Sequence, residues 1–181
     1  MGYMETRKVS YMGLLIALAL VLSYIEAQIP AFVAIPGIKV GLANIVVVFA
    51  LYKFGLKEAL LISIFRVVLS ALMFGSVMSL AYSAAGAFLS LLGMVILKKL
   101  NLFSCVAVSV VGGVLHNLGQ ILMACLVLET NVVVYYLPFL ILSGTIAGVV
   151  VGLVAALVLK RLGGDDATTK DATKDANKKE E

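Results

Sequence analysis

Charge is scarce in this sequence: 13% of its 181 residues are Asp, Glu, Lys or Arg, against 62% that are hydrophobic. Soluble domains run nearer a quarter charged and half apolar, so this composition, with a mean hydropathy of +1.12, excludes a soluble domain and indicates a membrane protein. Cysteine is almost absent. Its two copies, Cys105 and Cys125, share one hydrophobic segment, where a helix would hold them about 30 Å apart, too far for a disulfide. The chain has a single histidine, His116, and with two distant cysteines it makes no metal site of recognisable spacing. No cofactor is implied. A Walker-type GxxxxGK[ST] sequence is also missing, so the chain does not hydrolyse ATP by that route. The net charge of +4 is no nucleic-acid footprint, because most of the basic residues flank hydrophobic segments, where they mark topology.

What is present reads as six hydrophobic spans: Val9–Ala27, Val40–Tyr52, Leu56–Phe74, Val77–Leu97, Phe103–Leu128 and Val134–Leu159. Most approach the roughly 20 apolar residues that cross about 30 Å of hydrocarbon. The second is short, and is expected to tilt little or to begin inside a re-entrant loop covered by its neighbours. Basic pairs punctuate the spans: Arg7 and Lys8, Lys53 and Lys57, Lys98 and Lys99, Lys160 and Arg161. Six crossings put all four pairs on one side, which the positive-inside rule makes cytoplasmic, with both termini there. Glu26, Lys39 and Glu129 fall near the opposite boundary. The expected architecture is therefore all-α, a six-transmembrane-helix bundle over residues 1–162. The basic start of the first span suggests a signal peptide, but its long apolar run and the lack of an A-x-A-like site favour an uncleaved span. From 163 to 181 the near-repeats DATTK, DATK and DANK cannot bury apolar surface and predict a disordered, charged cytoplasmic tail.

Three features interrupt the hydrophobic pattern. In "GVLHNLGQ", residues 113–120, His116 and Gln120 lie about 40° apart on a helix and Asn117 about 100° from His116. Gly112, Gly113 and Gly119 accompany them, so one side of the span is both polar and small. Such a face belongs against other helices or a cavity, since lipid offers no hydrogen-bond partners. Interhelical hydrogen bonding and solute binding both account for it. Arg66, in "LLISIFRVVLSALMF", lies near the middle of the third span, where a charge costs about 2.5–3.5 kcal/mol on insertion scales. It must face the bundle interior, either in an ion pair with Glu26 or a contact to backbone carbonyls, or as a positive group awaiting a carboxylate or phosphate. In "IPAFVAIPGIKVGLAN", residues 29–44, two prolines and two glycines break any continuous helix, and Lys39 and Asn44 lie near a helix start that can hold an anion. Its hydrophobicity suggests a lid folded back on the bundle. Gly144, Gly148 and Gly152 recur at four-residue spacing with Ala156, and Gly13 with Ala17 repeats the pattern more weakly. Small-residue stripes of this kind serve close helix contact inside the bundle or docking of a partner.

The pair of motifs "PGIKVGLAN" and "HNLGQ" resembles the Gx transporter family, also labelled heptaprenyl diphosphate synthase component I, over roughly residues 10–160. That family is similar in size and span count to the S components of energy-coupling factor transporters. Those are six-helix membrane proteins that capture vitamins and depend on a coupling membrane subunit and ATPases. The resemblance thus implies an S-component-like bundle in a bacterial inner membrane that binds a small, vitamin- or cofactor-like solute, with flavin or an isoprenoid precursor as contexts. Arg66, His116, Asn117, Gln120, Lys39 and Asn44 would bind the solute, and the stripes would dock the coupling subunit. The older label implies instead a subunit of a prenyl diphosphate synthase. Familiar synthases hold magnesium and diphosphate on DDxxD motifs; here Asp165 and Asp166 lack the third aspartate and sit in the tail. A non-catalytic accessory subunit, or an assembly factor for a membrane redox complex, stays open. None of the three readings makes the chain an enzyme.

Overall fold

A computed structural model describes residues 2–28 and 41–162. Six helices follow one another: α1 (Gly2–Gln28), α2 (Asn44–Lys53), α3 (Leu56–Phe74), α4 (Val77–Leu100), α5 (Cys105–Leu128) and α6 (Leu137–Arg161). A 3-10 turn at Val132–Tyr136 leads into α6, whose first turn carries Pro138 where a missing N–H costs nothing. The expected all-α class is observed, and no strand occurs among the described residues. Lys39, the lid segment 29–40 and the tail after residue 162 lie outside the described residues.

Short connections with local chemistry fold the chain back at each turn. Ser76 and Ser104 cap α4 and α5, each accepting from the N–H three residues on at 3.2 Å. Asn101 ends α4 in the left-handed region at φ 52°. Between α2 and α3 the chain turns at Gly55, φ 112°, a conformation only glycine adopts without strain.

The hairpins bring several helix ends together. Lys8 at the start of α1 pairs with Glu58 at the start of α3. Lys53 Nζ donates to the Leu162 carbonyl at 3.0 Å. Lys98 Nζ donates to the Leu51 carbonyl and lies 4.9 Å from the centre of the Tyr52 ring. One end of the bundle thus collects the starts of α1 and α3 and the ends of α2, α4 and α6. At the other end, the rings of Tyr24 and Phe74 meet edge to face at 5.6 Å.

The short α2 is the axis of the fold. It packs against α1, α3, α5 and α6, and Asn44 and every residue from Val46 to Leu51 are buried. A helix apolar on all faces is a buried helix; α2 meets protein on its sides, which is why ten residues suffice. Its valines pack with Ile62 of α3, Val108 of α5 and Val151 of α6 in one core. α1 lies outermost and, over the residues from 8 on, buries only Ala19, Ser23 and Glu26. Large apolar side chains face outward elsewhere, with Leu14, Leu72, Phe88 and Leu126 between 66% and 77% exposed. An apolar outer surface of this kind suits hydrocarbon, not water.

Four segments are long and apolar enough to cross a membrane: Lys8–Gln28, Val77–Leu100, Cys105–Leu128 and Val132–Arg161. The protein is accordingly a helical membrane protein. α2 is shorter than a span, and α3 has the length but is interrupted by Lys57, Glu58 and Arg66.

Candidate functional site

The polar turn of α5 is divided between two neighbours. Asn117 faces α6: its Nδ2 donates to the Leu140 carbonyl at 2.7 Å and to Ser143 Oγ at 3.4 Å. Gly144 makes room for it, since a Cβ there would lie 2.9 Å from that nitrogen. His116 and Gln120 face α4 instead. A Cβ on Gly86 would come within 2.7 Å of the His116 carbonyl and 3.0 Å of both the His116 Nδ1 and the Gln120 Cγ. The roughly 100° between residues 116 and 117 matches two helices packed on adjacent sides of α5. All three side chains are almost wholly buried. The interhelical account therefore holds for the Asn117 amide nitrogen, while His116 and Gln120 are directed at α4.

The chain preceding α2 joins this second group. Gly41, at φ 95°, places its Cα so that a Cβ would lie 3.1 Å from Asn44 Nδ2 and 3.4 Å from His116 Cδ2. Both the backbone angle and the close approach require glycine there. The carbonyls of Gly41, Leu42 and Ala43 accept from the N–H groups of Asn44, Ile45 and Val46, closing the first turn of α2. The N–H groups one step upstream, on Gly41 and Leu42, are both donated to a single oxygen, Oε1 of Glu26.

Glu26, two residues before the end of α1, is only 5% exposed and faces the bundle. It comes inward because α1 presents Ala19, Ser23 and Glu26, spaced four and three apart, to the bundle. Arg66 belongs to the corresponding stripe of α3, Ala59, Ile62, Ser63, Arg66, Val67 and Ser70, and is 3% exposed. The Glu26 charge acts on the Arg66 guanidinium, yet the one direct ion pair among the described residues is Lys8 with Glu58. Arg66 Nε and Nη2 have no hydrogen-bond partner among the described residues, an arrangement costly in a low-dielectric interior.

Both α3, which carries Arg66, and α5, which carries His116, pack on α2, whose start is at Asn44. A small cleft opens there, lined by Gly41 and Asn44 with Met94, Ser109, Gly113 and Gly148; it has room for about one water-sized group. Of the expected solute-binding residues only Asn44 lines it. Arg66, His116 and Gln120 are buried and are not among its lining residues.

The glycine stripe of α6 is used inside the bundle. Cβ atoms on Gly148 and Gly152 would come within 2.6 and 2.7 Å of the Cα atoms of Val110 and Val106, and one on Gly144 within 2.9 Å of the Gly113 carbonyl. Gly13 differs: nothing lies within 4 Å of its Cβ position, and Gly13 and Ala17 are both exposed.

The arrangement suits an anion: a buried guanidinium, a convergent pair of backbone N–H groups and nearby amide and imidazole groups. Sequence reasoning had Glu26 only as an ion-pair partner for Arg66, not as acceptor for the Gly41 and Leu42 N–H groups, and missed the buried serines 23, 63, 70, 79, 83, 90 and 109. The four-residue spacing from Ser79 to Ser83, and a lone Glu on the Ala19–Ser23 face, were the available signals. Among the described residues no three His, Cys, Asp or Glu side chains gather as metal ligands.

The family described as heptaprenyl diphosphate synthase component I matches residues 15–158. Comparison with curated proteins and with solved structures gives no match.

Proposed function

The chain belongs to the heptaprenyl diphosphate synthase component I family, and from that premise we propose that it is a non-catalytic membrane subunit that binds a small anionic solute. The observation carrying this reading is Arg66, nine-tenths buried and more, with two guanidinium nitrogens lacking a partner among the described residues. A buried charge with unsatisfied guanidinium nitrogens is a standing cost that a bound anion removes. In this reading Arg66 supplies the positive charge, and His116 and Gln120 supply directional hydrogen bonds. Asn117 contributes Oδ1 while its Nδ2 braces α6, and Asn44 with Lys39 meets the solute at the start of α2.

The topology that goes with it is six crossings, with α2 and α3 completing the four long apolar helices and both termini cytoplasmic. The gathering of Lys8, Lys53 and Lys98 at one end of the bundle supports it, because basic residues concentrate on the cytoplasmic side. Residues 163–181 are the charged tail on that side. As in an S component, solute movement depends on a membrane coupling subunit and ATPases. With Gly144, Gly148 and Gly152 packed on α5, docking falls chiefly to the open Gly13–Ala17 face of α1. The solute is of vitamin or cofactor type, with a flavin or an isoprenoid precursor as the first to try.

The family description favours a second reading, in which the chain is the membrane-bound accessory subunit of a prenyl diphosphate synthase; an assembly role for a redox complex is the third. Affinity purification from the native host in mild detergent, followed by mass spectrometry, separates them. Recovery of a coupling subunit with paired ATPases is the expected result. Recovery of a synthase or a redox complex without ATPases would replace the solute-binding reading with an accessory one.

A further inference from the structure

We propose that the seat for the solute's anionic group is the N–H pair of Gly41 and Leu42 beside Arg66, and that the carboxylate of Glu26 occupies it as an internal stand-in that an incoming carboxylate or phosphate displaces. This deepens the anion-binding reading above and rests on it.

Two successive backbone N–H groups aimed at one oxygen form a concavity that selects anions. Here the oxygen belongs to Glu26. The carbonyls of Gly41 to Ala43 satisfy the amides of Asn44, Ile45 and Val46, while those of Gly41 and Leu42 go to Glu26, and the positive end of α2 stands behind them. Gly41 holds this geometry at φ 95°, against Asn44 and His116. Arg66 is the second, independent observation. It is buried, feels the Glu26 charge and has guanidinium nitrogens unpartnered among the described residues. Two anions on the same pair of N–H groups repel each other strongly in a low-dielectric place, so a second anion binds well only if the Glu26 carboxylate withdraws. Glu26 lies two residues before the end of α1 at Gln28, which places the aqueous boundary within reach of a released side chain. The Glu26 carboxylate thereby holds the chain entering α2 in place when the solute is absent and yields the same two N–H groups when it arrives.

The test uses the full chain in mild detergent with inorganic phosphate as probe. Apparent affinity is read from the rise in melting temperature with phosphate, against chloride at equal ionic strength. Glu26→Gln keeps the shape but removes the competing charge, and is expected to tighten the apparent phosphate affinity at least tenfold over the wild type. Glu26→Asp, which draws the carboxylate back by one methylene, should tighten it by a smaller factor and decides the matter if the glutamine variant does not fold. Adding Arg66→Gln to either variant should abolish the phosphate effect. Repetition in phosphatidylcholine nanodiscs with and without phosphatidylglycerol tells a free anion from a lipid headgroup: competition by phosphatidylglycerol identifies the headgroup as an occupant of the same seat. Wild-type binding that needs Arg66 but is equal or weaker in both Glu26 variants would overturn the displaced carboxylate and leave the Arg66 site standing. An absence of any phosphate-specific shift in all variants would overturn both.

Discussion

The cations at the two levels of this bundle are treated differently. At the end where the basic residues collect, each described contact is of an ordinary kind: Lys8 on Glu58, Lys53 on the last carbonyl beyond α6, and Lys98 on a carbonyl near the end of α2. Two of the three are Lys side chains on carbonyls at the negative ends of helices, where the helix dipole favours them. Half-way along α3, Arg66 has no such arrangement. It is buried on the same face of α3 as Ile62, Ser63 and Val67, in a helix that packs on α1, α2 and α4, and two of its nitrogens have no partner among the described residues. The lysines read as topology and fastening. Arg66 reads as a charge kept for something else, because a purely structural cation at that depth would be expected to carry its hydrogen bonds within the protein.

That contrast can be broken by substitution. The largest effect is expected at Arg66 itself: in a Glu26→Gln background, which leaves no buried carboxylate behind, Arg66→Met, similar in length and apolar, should stabilise the membrane domain by roughly 1–4 kcal/mol while removing anion binding, since a poorly satisfied buried charge is replaced by packing. Equilibrium unfolding in mixed micelles checks this, and a loss of stability would place Arg66 with the structural cations. Asn117→Ala should cost about 0.6–2 kcal/mol by the same measurement, the range for an interhelical hydrogen bond in a membrane bundle. Because it also removes the Oδ1 assigned to the solute, solute affinity should fall with it, by less than the loss at Arg66. Lys8→Gln is the smallest change. Lys8 is more than half exposed, and loss of its pair with Glu58 should cost no more than about 0.2–1 kcal/mol. A cost as large as that at Asn117 would show that the charged end does more than fasten.

Much of the fold was legible because hydrophobic length and helix punctuation are local. The third span, Leu56–Phe74, is α3 to the residue, bracketed by Gly55 and Gly75, and the fourth and fifth differ only at ends set by Asn101 and Ser104. α2 was harder to place. A short helix apolar on every side carries no periodic signal to distinguish lipid from protein around it, and only the contacts with four neighbours reveal it as the axis. The site was legible by residue type and not by grouping. Arg66 and the α5 turn stand out from their surroundings, but adjacent positions 116 and 117 face different helices, which a helical wheel gives as an angle without saying what lies at each side. Glu26 was read from its distance to the segment end, whereas its position on the buried face of α1 decides that it meets protein.

The most direct test of the central claim, that Arg66 holds an anion, is to purify wild-type protein and Arg66→Met side by side from the native host and identify the small molecules released on denaturation by mass spectrometry. The account predicts a carboxylate- or phosphate-bearing compound in the wild-type extract, near one per chain, and its absence from the variant. Identical extracts from a folded Arg66→Met protein would contradict it.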